Sequence, residues 1–148
     1  MGTIEKRLFF NAPLEKVWKI WVDAEKTPDW VEGVQESRVT SQAREGKGLS
    51  WSEKCLFGKK LIQMDHEFSH WEPLKRTVIR TGLPMGGTME RSCEFSPAAG
   101  GTEVSVHLEW DLGLVGAFFD EDKLAHMMEK TFDLTAEKWK ARAEASGA

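Results

Sequence analysis

At 148 residues the chain has the commonest size of one domain, so one domain over 1–148 is expected, large enough to bury roughly 70% of its unfolded surface and to tolerate an internal pocket without a cross-link. Its 20 basic and 24 acidic residues, net charge −4, are spread along the sequence and form no basic stripe to neutralise phosphates, which argues against nucleic acid as a partner. Cys55 and Cys93 stand far apart with no metal-ligand spacing, so they read as free thiols in a reducing compartment.

The opening "MGTIEKRLFF" lacks the apolar region and small residues of a secretory signal, and Lys6 stands where a myristoylation pattern needs Ser or Thr. "LGLVGAFF", the longest apolar run, is far short of the ~20 residues that span a bilayer. A cytoplasmic location without membrane insertion is the expectation.

"TIEKRLFF" alternates loosely and predicts a strand from Thr3 to Phe10. A helix should follow, with Asn11 as N-cap, Pro13 in the first turn and Glu15 at the positive end of the dipole. Leu14, Val17, Trp18 and Trp21 recur at the three-and-four spacing of one buried face. "DAEKTPDWVEGV" predicts a second short helix or turn from near Asp23, bent at Pro28 and ended by Gly33.

Turn-rich breaks then leave six strand-like runs near 34–42, 48–57, 60–71, 75–82, 87–96 and 102–111. Their short connections predict antiparallel pairing as a meander. From Asp120, a suitable N-cap, the period turns helical to about residue 143, with Leu124, Met128, Phe132, Thr135 and Trp139 on one stripe. Seven strands with one polar face must cover the other, and this last helix is the element long enough to do so.

Strand parity groups Leu49, Trp51, Glu53, Cys55 and Phe57 on one face, Met89, Arg91, Cys93 and Phe95 on another, and Val104, Val106, Leu108 and Trp110 on a third. If those faces meet the long helix, Glu53 and Arg91 point inward and need polar partners, each other among them; a bulge would instead turn either back to solvent. His66 shares a face with Ile62, Met64 and Phe68, which makes it either a general acid or base or a hydrogen-bonded core residue. His66 and His70 lie ~13 Å apart along a strand, too far to share an ion at ~2 Å bonds, so no metal site is expected. His107 and His126 should be exposed.

Three segments carry a family resemblance: "FNAPLEKVWKIWVDAEKTPDW", "HEFSHWEPLKRTVIRT" and "CEFSPAAGGTEVSVHLEW". In their order and spacing the chain resembles the START and Bet v 1-like helix-grip superfamily, in its polyketide cyclase/dehydrase branch. The resemblance implies an α+β helix-grip fold, a seven-stranded curved antiparallel sheet wrapped around the long C-terminal helix, with two short helices closing one end of a cavity. Trp18, Trp21 and Trp30 would weld those helices to the sheet, with Trp30 either filling core or facing the cavity mouth. In that fold "GLVGAFFDED" sits by the entrance, where Phe118 and Phe119 would act as a lid or simply dock a loop.

No nucleophile elbow, phosphate loop or dinucleotide fingerprint occurs, and no cofactor is implied. The first expectation is a small soluble protein binding a hydrophobic or aromatic, lipid- or polyketide-like molecule against Trp30, Trp51, Met64, Met89, Trp110, Phe118, Phe119, Met127 and Met128. The alternative is an aromatase/cyclase in which Arg91, His66 or Glu53 moves protons. A third reading is a protein-binding module like the Hsp90 co-chaperone activators of the same superfamily. Fold does not choose among them, and it does not specify the oligomeric state.

Overall fold

The structure, a computed structural model, describes residues 2–145; Met1 and residues 146–148 of the expected domain lie outside the described residues. β1 (Gly2–Phe10) leads into helix α1 (Leu14–Val22) and a 3-10 helix (Ala24–Asp29). Then come β2 (Val34–Val39), β3 (Ser50–Phe57), β4 (Lys60–Glu72), β5 (Arg76–Gly82), β6 (Thr88–Ala98) and β7 (Gly101–Asp111). A 3-10 helix (Gly113–Phe118) precedes the long helix α2 (Glu121–Glu144).

All neighbours pair antiparallel in the order β1-β7-β6-β5-β4-β3-β2. The meander was expected from its short turns. The closing pair, β1 against β7, joins the two ends of the chain and so left no short-range signal. Because β1 and β2 are opposite edges, α1 and its 3-10 helix must carry the chain across the concave face. α1 accordingly packs on β6, β7 and α2, and the 3-10 helix on β2.

The start of α1 differs from expectation. Pro13, not Asn11, occupies the cap position, with extended backbone and no side-chain cap. A residue before proline is held out of the helical region, so Ala12 cannot be helical and the first turn begins beyond Pro13. Asn11 instead offers its backbone N–H to Glu144 Oε2 at 2.8 Å, tying β1 to the end of α2. Asp120 caps α2 as expected, its carboxylate accepting from the backbone N–H groups of Asp122 and Lys123.

α2 lies on the concave face unevenly. Its C-terminal half is locked: Thr135, Ala136, Trp139 and Ala143 are buried, and the fully buried Trp139 touches the rings of Phe10, Trp21, Trp30 and Phe95. Thr135 Oγ1 accepts from the backbone N–H of Glu32, and Trp139 Nε1 donates to the carbonyl of Val17, so the helix also pins the crossing segment. In the N-terminal half Leu124 is buried, while Met127, Met128 and Phe132 stay half-buried. There Lys6, on the concave side of β1, reaches Glu129 at 2.7 Å and Asp133 at 3.4 Å.

The β6–β7 turn brings Gly101 against β1 so closely that a Cβ would stand 2.2 Å from the carbonyl oxygen of Phe10. Backbone cannot yield there as a side chain would. Gly101→Ala is expected to cost about 1–3 kcal/mol by forcing the edge strands apart; a denaturation midpoint equal to wild type would contradict this contact.

Candidate functional site

Four adjacent strands contribute one side chain each to a polar row on the concave face: Glu53 on β3, His66 on β4, Thr81 on β5 and Arg91 on β6. Register explains the grouping. His66 stands directly opposite Trp51 on β3 and Thr81 on β5, Thr81 stands opposite Met89, and Glu53 and Arg91 are each one same-face step further along. The bulges in the sheet fall elsewhere, between Val34 and Glu36 and between Phe68 and His70, so neither charged residue is turned outward.

Glu53, His66 and Thr81 are buried, at 5%, 3% and 3% exposure, which obliges each to find partners inside. His66 Nε2 lies 2.7 Å from Glu53 Oε1, and its Nδ1 lies 2.6 Å from Thr81 Oγ1 and 3.3 Å from an Arg91 Nη2. Glu53 Oε2 accepts from Trp51 Nε1–H at 3.1 Å, and the Trp51 ring stacks on the imidazole with centroids 5.0 Å apart.

Burial alone would raise the Glu53 pKa, but the hydrogen bond from His66, a hydrogen bond from Thr27 and the charge of Arg91, joined by the charge of His66 once acid protonates that ring, outweigh it and bring the carboxyl down to about 2. Burial, with the Arg91 charge, holds the His66 pKa below its ordinary value against the pull of Glu53. Glu53 is therefore an anion and His66 a neutral imidazole. We assign the proton to Nε2, donating to Glu53, which leaves Nδ1 to accept from the Thr81 hydroxyl and from Arg91. Hydroxyl, imidazole and carboxylate thus lie in line, an arrangement through which a proton can pass between Thr81 Oγ1 and His66.

Arg91 as a whole is half-buried, with its guanidinium over the Trp21 ring at 5.7 Å. Among the described residues, two buried side-chain nitrogens have no hydrogen-bond partner: Arg91 Nε and Trp30 Nε1.

The remaining predicted residues divide. Trp30 is buried against Trp21 and Trp139, and Trp51 and Trp110 are also buried. Met89, Met127 and Met128 pack half-buried beside Ile4, Leu108, Trp110 and Leu124 in a second apolar cluster. Met64 is half-buried next to the polar row, opposite Glu53. Phe119 meets Phe57 edge-on at 6.1 Å, whereas Phe118 projects into solvent at 85% exposure and covers nothing. A cleft of about 650 Å3 opens at the β2 edge, with Pro28, Ser37 and Glu53 on its wall.

The sequence matches the family described as polyketide cyclase / dehydrase and lipid transport over residues 1–144. The chain belongs to that family. Its fold is the helix grip seen in a START superfamily protein from Mycobacterium smegmatis, at TM-score 0.77 and 15% identity over 96% of this chain and 97% of that one. A Thermus thermophilus protein aligns at TM-score 0.80 and 20% identity over 99% and 100% of the two chains. The Zhui aromatase/cyclase from a Streptomyces species aligns at TM-score 0.74 and 15% identity over 99% and 98%. Identities this low establish the shared fold alone. Comparison with individually curated proteins gives no match. No helix among the described residues is long and apolar enough to cross a membrane.

In this cyclase/dehydrase-family chain, sequence reading missed Thr81 and Thr27. Thr81 lies at the end of β5, where Thr77, Val78 and Ile79 are buried in succession and blur the alternation that would have marked the inner face. Pairing β5 with β4 by register recovers it.

Acid should weaken the fold through this site. Glu53 moves down from 4.5 to about 2, so its contribution is complete above the unfolded value and lost as pH falls toward 2. His66 is likewise depressed below 6.5, so under acid the unfolded chain takes up that proton first and gains stability relative to the fold. The melting temperature is expected to drop between about pH 7 and about pH 5, and His66→Gln should flatten that slope. His107, raised by the hydrogen bonds it donates to Glu109 and Glu5, acts in the opposite sense, weakly because it is exposed. An equal slope in both proteins would remove His66 from the effect.

Proposed function

We propose that this chain binds a hydrophobic or aromatic small molecule, lipid- or polyketide-like, between the concave face of the sheet and the N-terminal half of α2. One observation carries the reading: side chains that point inward there, Ile62, Met64, Met89, Arg91, Met127 and Met128, remain half-buried, although inward residues at the other end of the same helix are sealed. A solid core would close over both ends alike. Four methionines with Trp51 and Trp110 nearby make an adaptable apolar wall of the kind that accepts flat or acyl ligands. The family description, which names both cyclase/dehydrase and lipid transport, supports the same class.

Titrating the protein with flat aromatic and acyl compounds while following tryptophan fluorescence tests this. Saturable change is expected, because Trp51 stacks on His66 and Trp21 lies under the Arg91 guanidinium; no response to either class would overturn the reading.

The aligned Thr81 hydroxyl, His66 imidazole and Glu53 carboxylate favour a second reading, an aromatase/cyclase-type enzyme that moves protons on a ligand held against that row. The di-domain ARO/CYC from the steffimycin biosynthetic pathway, half of which this chain covers at TM-score 0.80 and 12% identity, is a fold relative described by such chemistry. His66→Ala and Arg91→Ala should then abolish turnover of a polyketide-like substrate while the far-ultraviolet spectrum stays native. Unaltered turnover would remove both residues from the reaction.

A further inference from the structure

The interior is short of acceptors, not donors. Three of the buried indoles are satisfied: Trp21 Nε1 donates to Thr77 Oγ1 at 2.9 Å, Trp51 Nε1 to Glu53 and Trp139 Nε1 to the Val17 carbonyl at 3.2 Å. Trp30, at 2% exposure, is not: among the described residues its Nε1–H and the Nε–H of Arg91 are the buried side-chain nitrogens left unpaired. Both groups border one ring: the Arg91 guanidinium lies 5.7 Å from the centre of Trp21, and the Trp30 ring lies 6.1 Å from it. Leaving a buried donor unmade is costly, and each of these two donors, both held on residues that pack on Trp21, calls for an acceptor that the described residues do not supply.

The charge of the missing partner follows from the polar row. Arg91 is already compensated, because its guanidinium is linked through the His66 imidazole to the Glu53 carboxylate, by contacts of 3.3 Å and 2.7 Å. A second carboxylate buried beside this balanced pair would leave an uncompensated negative charge in a medium of low dielectric. A neutral oxygen accepts the same hydrogen bonds without that penalty.

Resting on the binding reading above, we propose that Trp30 Nε1–H and Arg91 Nε–H form a subsite for the carbonyl oxygens of a flat, uncharged apolar ligand, and that Glu53 makes the site reject carboxylates. Neither nitrogen meets solvent in the empty protein, so the ligand seats itself by displacing the wall over them. Met89, one same-face step from Arg91, and Met64, Met127 and Met128 are unbranched, half-buried side chains suited to that movement.

Isothermal calorimetry with three tricyclic probes tests the subsite: 9-fluorenone, which carries one carbonyl, fluorene, which carries no acceptor, and fluorene-9-carboxylate, which is anionic. Fluorenone should bind about tenfold tighter than fluorene and at least about tenfold tighter than the carboxylate. In Trp30→Phe the ratio of fluorenone to fluorene affinity should fall toward one. In Glu53→Gln, where Arg91 has lost its compensation, the carboxylate should overtake fluorenone. Equal wild-type affinities for fluorenone and fluorene, or a wild-type preference for the carboxylate, would overturn the subsite while leaving apolar binding standing. Binding of none of the three would overturn the binding reading as well. The wild-type ratios decide even if a variant fails to fold.

Discussion

Trp139→Ala is expected to destabilise the protein by about 4 kcal/mol, the range measured when a fully buried aromatic is deleted. Trp139 is completely buried, its ring contacts Phe10, Trp21, Trp30 and Phe95, and its Nε1 closes a hydrogen bond to the carbonyl of Val17 in α1. Truncation would leave a void among four rings that cannot all move into it, because each is held by a different element. The same substitution at Met128, half-buried on the same helix, should cost only about 1 kcal/mol, since less apolar area is withdrawn from water there. Urea denaturation of the two variants measures the difference. Equal losses would mean that α2 is seated evenly along its length, and the case for an open end beneath its first half would fall with the asymmetry.

Glu53→Ala should cost about 3–5 kcal/mol near neutral pH, as expected when one partner of a buried ion-paired network is removed. It would strand three groups at once: the Nε2–H of His66, the Nε1–H of Trp51 and the positive charge of Arg91. Glu53→Gln keeps an oxygen to accept from one of them and should cost roughly half as much. Removing Arg91 in the same chain should relieve part of the Glu53→Ala penalty, so the double variant Glu53→Ala/Arg91→Met is expected to lose at least ~1 kcal/mol less than the two single losses combined. Strict additivity would show that Glu53 and Arg91 do not balance one another, and would also remove the electrostatic ground for rejecting anionic ligands.

The polar row was largely legible in the chain because strand parity is rigid: a period of two carries Glu53 inward with Trp51 and Cys55, His66 with Met64 and Phe68, and Arg91 with Met89 and Cys93. Thr81 escaped notice because three consecutive residues of β5 are buried, one of them on the convex side. Residue type favours Asn11 as the cap, yet the conformational restriction imposed by Pro13 on its predecessor prevails. Phe118 and Phe119 show the limit of composition: the same apolar dipeptide puts one ring against Phe57 and the other into solvent.

The amino-acid sequence by itself determined the element order, the antiparallel meander, the shared strand parity of Glu53, His66 and Arg91 with their apolar neighbours, and the helical stripe of α2, because hydrophobic period, turn chemistry and short loops act within a few residues. Tertiary structure alone decided that β1 closes against β7, that α1 and the 3-10 helix cross from one edge to the other, and that Trp30 and Arg91 come to border the same Trp21 ring with their donors unpaired. Those arrangements join residues tens of positions apart, and they are set by how rings and helices share one buried volume, which no local pattern encodes.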